Sequence, residues 1–281
     1  MIINDRQYYP SKDVGFYANR VLRDLGLKEP PIFYESVLNY FGLDLHMMTE
    51  QQELEFEKIT ATKIELPAFL LIDGDDAHIF VRKDDIPERQ RLSIFHEVGH
   101  FDIPWHESHM YLCDCISADH DLHNLVEKEA YEYAAHIIFP DNVFCHDIRS
   151  KPVCIETIEE LAERYGASFE ATAIKYVKTS PEMCAIVYLL LNPDAGETGC
   201  PFMIKYGIKS KSFHHYWHKN DPIQYHDMIA SCFQDRNRIK GKIPASVFGS
   251  SKKHDYTVDL KPYGDHVCSL LYIPGIQQSF I

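Results

Sequence analysis

Apolar and polar positions follow a helical period in one part of the chain and a strand period in the next. Residues 13–26 and 31–42 have the spacing of two short amphipathic helices. Residues 57–66 and 68–82 alternate or run apolar, and Asp73-Gly74 supplies a turn within the second range, which predicts a small antiparallel sheet. Helices and strands in this arrangement are typical of an α+β fold.

Two longer helices are predicted further along. Residues 88–101 follow Pro87, a residue that the first turn of a helix tolerates, and they are apolar on nearly every side after a charged first turn. Residues 125–139 carry their apolar side chains mainly on one side and end at Pro140. The first of these helices is expected to be buried, because its later turns lack a polar face.

Within the first helix, the residues His96-Glu97-Val98-Gly99-His100 have the spacing H-E-x-x-H. Residues four apart lie on one face of a helix, so His96 and His100 can bind one tetrahedral metal ion while Glu97 lies beside them. A buried histidine pair needs partners, because an unpaired buried polar group costs about 1 to 3 kcal/mol. The motif therefore predicts a metal site with Glu97 as its catalytic residue. The alternative is two core histidines that are hydrogen-bonded separately.

A catalytic zinc site usually has three protein ligands, so a third is expected. His106 has the spacing of the third metzincin histidine, but Ile103 stands where that pattern needs a glycine. On the next helix Glu127 falls inside the apolar arc, whereas Glu129 falls on the opposite, solvated side. A carboxylate in a buried face needs a positive partner, so Glu127 is the expected ligand, and a buried salt bridge is the alternative.

These segments together resemble the ImmA/IrrE family of zinc metallo-endopeptidases. The resemblance rests on RLSIFHEVGHFDIPWH, VEKEAYEYAAHIIFPDNVF and IEELAERYGASFEATAIKYV, and it spans most of residues 10–195. Tyr131 and Tyr133 depart from the family pattern, in which Asn and Phe are usual. The resemblance also puts the third zinc ligand at Glu127. It implies cleavage of a protein partner, a DNA-binding transcriptional repressor, to derepress stress-response or mobile-element genes.

Peptide hydrolysis is the expected activity. Zn²⁺ held by His96, His100 and Glu127 would activate a water, and Glu97 would take its proton and return it to the leaving amine. The donor that stabilises the oxyanion is left open among Tyr111, Tyr131, Tyr133, His106 and His123. The alternative function is a DNA-binding regulator with a structural zinc, which would not need Glu97.

Residues 155–178 resemble a helix-turn-helix, with Gly166 at the turn. Residues 1–199 carry 17 Lys and Arg against 36 Asp and Glu, whereas residues 200–281 carry 11 against 6. Phosphate contacts need positive charge, so direct nucleic-acid binding by the acidic part is not expected, and packing against the zinc domain is the preferred interpretation of these helices. A basic protein substrate would suit the acidic surface, and simple solvation is the alternative explanation of its charge.

The change in charge follows LNPDAGETGCP at residues 191–201, whose Pro and Gly residues predict a linker. We expect a metallopeptidase domain over residues 1–195 and a small basic domain over 200–281. The run CAIVYLLL and the segments VFG, YTVDL and HVCSLLYI predict that this second domain is mostly β. The expected fold is thus α+β: a zincin-like domain of helices and a small antiparallel sheet, a helix-turn-helix-like segment, and a β-rich C-terminal domain.

The segment MIINDRQYYP is polar, so no signal peptide is predicted, and the run CAIVYLLL is too short to span a membrane. The 8 cysteines are scattered, which favours reduced thiols in the cytoplasm. Cys113 and Cys115 could hold a second metal with Asp119, His120 and His123, but their spacing matches no standard zinc knuckle. A solvated loop is the preferred interpretation.

Overall fold

The computed structural model describes residues 13–60, 67–106, 110–111 and 120–273. The chain divides into two compact units, the first within Met1–Phe144 and Glu163–Ser168 and the second within Cys145–Ala162 and Phe169–Ile281. Each unit contains helices and a sheet, so the fold is mixed α+β. Among the described helices, none combines the length and apolar character needed to cross a bilayer.

A set of helices and a four-stranded sheet build the first unit. The helices are α1 (Val14–Asp24), α2 (Tyr34–Phe41), α3 (Glu50–Thr60), α4 (Pro87–Asp102) and α5 (His120–Ile138). The strands are β1 (Asp44–Met48), β2 (Ala68–Asp73), β3 (Asp76–Arg82) and β4 (Met110–Tyr111), in the order β1-β3-β2-β4. β2 pairs antiparallel with β3 and β4, whereas β1 pairs parallel with β3. The helices predicted at 13–26 and 31–42 and the hairpin at 68–82 are confirmed.

The strand predicted at 57–66 is wrong where the structure describes it. Residues 57–60 form the end of α3, and residues 61–66 lie outside the described part of the chain. The helix has a capping box at its start: Thr49 N donates to Gln52 Oε1 at 2.9 Å, and Gln52 N donates to Thr49 Oγ1 at 3.4 Å. Glu, Gln and Lys are good helix formers and extend the helix from there, against the alternating pattern.

The β2–β3 hairpin and α5 both pack against α4, the helix that carries the H-E-x-x-H residues. Gly74 adopts φ 63° in the hairpin turn, a left-handed conformation that favours glycine. The buried Arg91 of α4 donates to the carbonyl of Ile32 at 3.0 Å and to the carbonyl of Gly166 at 2.8 Å. These hydrogen bonds therefore hold α4 in place on the N-terminal side of the turn that bears the histidines.

A six-stranded antiparallel sheet is the main feature of the second unit. The helices after α5 are α6 (Asp141–Arg149), α7 (Ile155–Tyr165), α8 (Phe169–Thr179), α9 (Ala195–Thr198) and α10 (Asp227–Asp235). The strands are β5 (Cys184–Leu191), β6 (Phe202–Lys209), β7 (Pro222–Ile223), β8 (Ile239–Pro244), β9 (Asp255–Tyr263) and β10 (His266–Tyr272), in the order β7-β6-β5-β10-β9-β8. The strands predicted from CAIVYLLL, YTVDL and HVCSLLYI are confirmed.

Two segments of this unit differ from their predictions. VFG was predicted as a strand, but the residues belong to a 3-10 turn, Ala245–Phe248, that follows Pro244 and ends at Gly249 with φ 78°. Residues 191–201 were predicted as a linker, but they close a hairpin between paired strands, in which Leu191 lies opposite Phe202. The division into domains at 195–200 stays a prediction.

Candidate metal centre

The H-E-x-x-H residues lie in the middle of α4 and are buried. His96, Glu97 and His100 are 3%, 1% and 0% exposed. Pro87 occupies the first turn of the helix, and every residue from Ser93 to Asp102 is buried. The two imidazoles face each other across one helical turn, with their Nε2 atoms 3.0 Å apart.

Glu127 of α5 completes the group. Its Oε2 lies 3.1 Å from His96 Nε2, and its Oε1 lies 3.3 Å from His100 Nε2. In the part of the chain that the structure describes, His96, His100 and Glu127 are the residues whose donor atoms converge as a possible metal-binding group. The helical-arc prediction had singled out the same carboxylate.

The geometry and protonation of this group fit a tetrahedral divalent cation. Ligands at the usual zinc distances of about 2.0 to 2.1 Å are about 3.3 Å apart, close to the spacings observed here. Burial lowers the pKa of His100 to about 4, so its imidazole is neutral. Burial acts to raise the pKa of Glu127, but hydrogen bonds from His100 and His96 outweigh it and hold that pKa well below its usual range. A neutral imidazole and an ionised carboxylate are the forms of His and Glu that bind metal.

Glu97 lies beside the three ligand candidates without joining them. Burial raises its pKa well above the usual range, and the nearby Glu127 charge adds to this effect, while a hydrogen bond with the backbone of Leu70 opposes it. Its Oε2 atom is buried and accepts no hydrogen bond from any residue that the structure describes. A carboxylate with one anchored oxygen and one uncommitted oxygen is suited to accept and release a proton.

His106 and Glu129 are placed behind His100. His106 Nδ1 lies 3.1 Å from His100 Nδ1, and its Nε2 lies 3.1 Å from Glu129 Oε2. Trp105 Nε1 donates to the same carboxylate oxygen at 2.7 Å. The prediction that Glu129 is a solvated surface residue is therefore wrong, because the turn after α4 brings Trp105 and His106 to its carboxylate.

The candidate oxyanion donors differ in their burial and in the residues that they contact. Tyr133 is fully buried and donates its hydroxyl to Asp102 at 2.9 Å, and Asp102 also pairs with Arg20. The ring of Tyr131 is half exposed, and its centroid lies 4.2 Å from that of His96. The side chains of Tyr111 and His123 lie outside the described part of the structure, as do Cys113 and Cys115 of the possible second metal site. Tyr131 thus borders the metal group, whereas Tyr133 is committed elsewhere.

Two helices approach closely where the metal group forms. A Cβ atom at Gly99 would lie 3.3 Å from the Ala130 carbonyl oxygen and 3.1 Å from the Tyr133 Cβ. The small residues at Gly99 and Ala130 let α4 and α5 come together, and this brings Glu127 to the histidines.

Comparisons with known proteins give one family match and one likeness in fold. Residues 56–176 match the model of the IrrE N-terminal-like domain, Peptidase M78. A solved structure of a Mycobacterium tuberculosis transcriptional regulator is similar, with a TM-score of 0.56 and 12% identity, over 96% of this chain and 78% of that one. At this identity the likeness shows the fold alone. No curated protein matches the chain. The resemblance to ImmA/IrrE proteins is confirmed by this match of residues 56–176 to the IrrE N-terminal-like domain.

Proposed function

We propose that the protein is a zinc-dependent endopeptidase with a zincin-like catalytic domain. The observation that carries this proposal is the convergence of three donor atoms, from His96, His100 and Glu127, beside a buried carboxylate that is not one of them. The match of residues 56–176 to a metallopeptidase family model supports it. A structural metal site would have no use for Glu97 at this position.

Different residues of the chain have different roles in the proposed hydrolysis. His96, His100 and Glu127 would hold the metal, and zinc supplies a Lewis acid that polarises a carbonyl and makes water more acidic. Glu97 takes the proton of the attacking water and delivers it to the leaving amine. Burial of the group excludes bulk water, which strengthens each electrostatic interaction in the site.

The substrate class proposed is a single protein partner, a DNA-binding repressor whose cleavage derepresses genes in the cytoplasm. The acidic charge of residues 1–199, 17 basic against 36 acidic side chains, would attract a basic protein. The same charge disfavours direct binding of nucleic acid.

Glu97→Gln tests catalysis separately from metal binding. This variant should keep its metal and its fold while cleavage falls at least about 100-fold, because an amide cannot accept the proton. The assay is mass spectrometry of a candidate DNA-binding repressor coexpressed with the chain, with Glu132→Gln on the exposed face of α5 as the control. Undiminished cleavage of that repressor by Glu97→Gln would rule out the mechanism.

Metal content tests the ligand set. The purified chain should hold about one zinc, His96→Ala or His100→Ala should remove it, and Glu127→Ala should weaken binding about 10-fold or more. His214→Ala, which alters an exposed histidine of the second unit, should leave the metal in place. If His106→Ala releases the metal and Glu127→Ala retains it, the ligand assignment is wrong.

A second candidate function is a DNA-binding regulator with a structural zinc. It is favoured by the helix pair α7 and α8, joined by a turn with Gly166 at φ 56°. The side chains of α8 oppose it: Thr172, Ala173, Tyr176 and Val177 are buried, and Glu170 accepts a hydrogen bond from Tyr206 of β6. DNA binding that weakens with salt, together with full function of Glu97→Gln, would establish this alternative.

A further inference from the structure

A pocket of about 830 Å³ lies in the second unit, away from the residues of the metal group. Its walls come from the end of α6, the loop before α7, the end of α8 with the loop that follows it, and the segment after β6. This volume lies in the range of about 300 to 1,000 Å³ that is usual for small-molecule sites. The pocket is therefore large enough for a ligand the size of a nucleotide.

The charge of the pocket is opposite to that of the chain. Arg149, Lys151, Lys178 and Lys211 line it, with Glu182 as the acidic residue among its lining, whereas the chain as a whole carries a net charge of −14. Arg149 and Lys178 also lie in the last turns of α6 and α8, where a cation complements the helix dipole. Lys151 and Lys211 lie on connecting segments and have no such role, although Lys151 pairs with Glu160.

Apolar side chains form the rest of the lining, and its walls are fixed by hydrogen bonds. Tyr176, Ile148, Val153 and Pro181 belong to this lining, and Tyr176 and Ile148 are buried. Ser212 Oγ donates to the Glu182 carbonyl at 3.2 Å, and Glu182 N donates to Ser180 Oγ at 3.1 Å. A pocket with a rigid wall loses little freedom when a ligand binds.

The geometry points to a binding site for a small organic phosphate, in which the cationic side chains hold the phosphate and the apolar lining around Tyr176 covers the organic body. Arginine and lysine at one site favour phosphate because guanidinium and ammonium groups form charge-assisted hydrogen bonds with its oxygens. Lys151 already pairs with Glu160, whereas Arg149, Lys178 and Lys211 form no ion pair with a residue that the structure describes, and a bound phosphate would supply their counter-charge. The proposal is independent of the peptidase activity.

The test compares ligands that differ in the phosphate. Adenosine 5′-monophosphate and fructose 1,6-bisphosphate are titrated into the full, zinc-loaded chain by calorimetry, with adenosine as the uncharged match of the nucleotide. We expect at least one of the two phosphates to bind with a Kd below about 1 mM. If adenosine 5′-monophosphate binds, adenosine should bind about 10-fold or more weakly than the nucleotide does. Comparing the two phosphates shows whether the pocket prefers a ligand with a planar base or a sugar phosphate without one.

Matched variants locate the site. The double variant Arg149→Gln with Lys211→Gln should weaken phosphate binding about 10-fold or more, because it removes two cations from the pocket. Lys205→Gln with Lys219→Gln removes two exposed cations of the same unit that do not line the pocket, and it should bind like the parent chain. Equal melting temperatures of the ligand-free variants would show that each is folded. The proposal is overturned if neither phosphate binds at about 5 mM, or if both double variants lose binding equally.

Discussion

His100 is held at both of its ring nitrogens. Its Nε2 faces His96 and Glu127, while its Nδ1 faces His106, which in turn contacts Glu129. A partner behind a ligating imidazole fixes both its orientation and its tautomer, so that the correct nitrogen is free for the metal. His106 and Glu129 therefore act as positioning residues for one ligand of the proposed site.

Glu129→Gln should lower zinc affinity by about 10-fold, because the neutral amide orients the His106 ring less strongly than the carboxylate does. Competition with a chelator of known zinc affinity measures the change. Glu132→Gln, on the exposed face of the same helix, is the matched control and should bind zinc as the parent chain does. Identical affinities for the two variants would show that the contacts behind His100 have no influence on the metal.

At the scale of elements, the site depends on the close contact of two helices. Glu127 and the histidines lie on different helices, so the distance between α4 and α5 sets the separation of the ligand atoms. The contact is closest at Gly99, where an added Cβ would lie 3.3 Å from the backbone of Ala130. Backbone atoms cannot move aside as a flexible side chain can.

Gly99→Ala should therefore destabilise the protein by about 1 to 3 kcal/mol through overpacking and should also weaken zinc binding. Gly196→Ala is a suitable control, because Gly196 also lies in a helix and a Cβ there meets no atom within 4 Å. Both changes gain helix propensity, so the difference between them reports the contact alone. Thermal unfolding and zinc titration of the two variants provide the comparison, and equal behaviour would contradict the packing argument.

Elements with strong periodicity could be predicted from the sequence. α4, α5 and β5 are long or strongly apolar, so local pattern and tertiary environment favour the same structure. The end of α3 could not be predicted in this way, because the capping box at Thr49 and Gln52 determines the helix from outside the alternating segment. The parallel pairing of β1 with β3 could not be predicted from the sequence either, because the two strands are distant along the chain.

The residues of the metal group also differ in whether the sequence could predict their roles. His96 and His100 share one helical turn, and Glu127 is conspicuous as a carboxylate in an apolar arc, so each follows from helix geometry. The role of Glu129 does not follow, because it depends on where the turn after α4 places Trp105 and His106. A helical period describes one helix and carries no information about the loop that reaches it.

At the scale of the whole molecule, a buried ionic cluster organises the second unit. Asp259 of β9 is 1% exposed, and it accepts hydrogen bonds from Ile155 N at 2.8 Å and Arg238 Nε at 2.7 Å. A carboxylate from the sheet thus satisfies an amide in the first turn of α7, which favours negative charge. Lys240 and Glu156 extend the cluster to the surface.

Asp259→Asn should destabilise the second unit by about 1 to 3 kcal/mol, because it removes the buried charge that Arg238 and the Ile155 amide share, while Arg238 keeps its contact with Glu156. Lys240→Gln, which breaks an exposed pair with Glu156, should cost less than about 1 kcal/mol. The sequence has 2 Trp, one in each unit, so Trp217 fluorescence in a Trp105→Phe background reports the second unit during urea unfolding. Equal effects of the two substitutions would show that burial of Asp259 adds nothing.

The strand order of the six-stranded sheet sets the sequence of events during biosynthesis. β5 and β9 both pair with β10, which the ribosome makes after either of them. Until residues 266–272 have emerged, the apolar strand CAIVYLLL keeps one hydrogen-bonding edge open, and open edges of this kind promote aggregation. A chain truncated before β10 would therefore aggregate. Loss of an outer strand such as β7 would instead leave the central strands of the sheet paired.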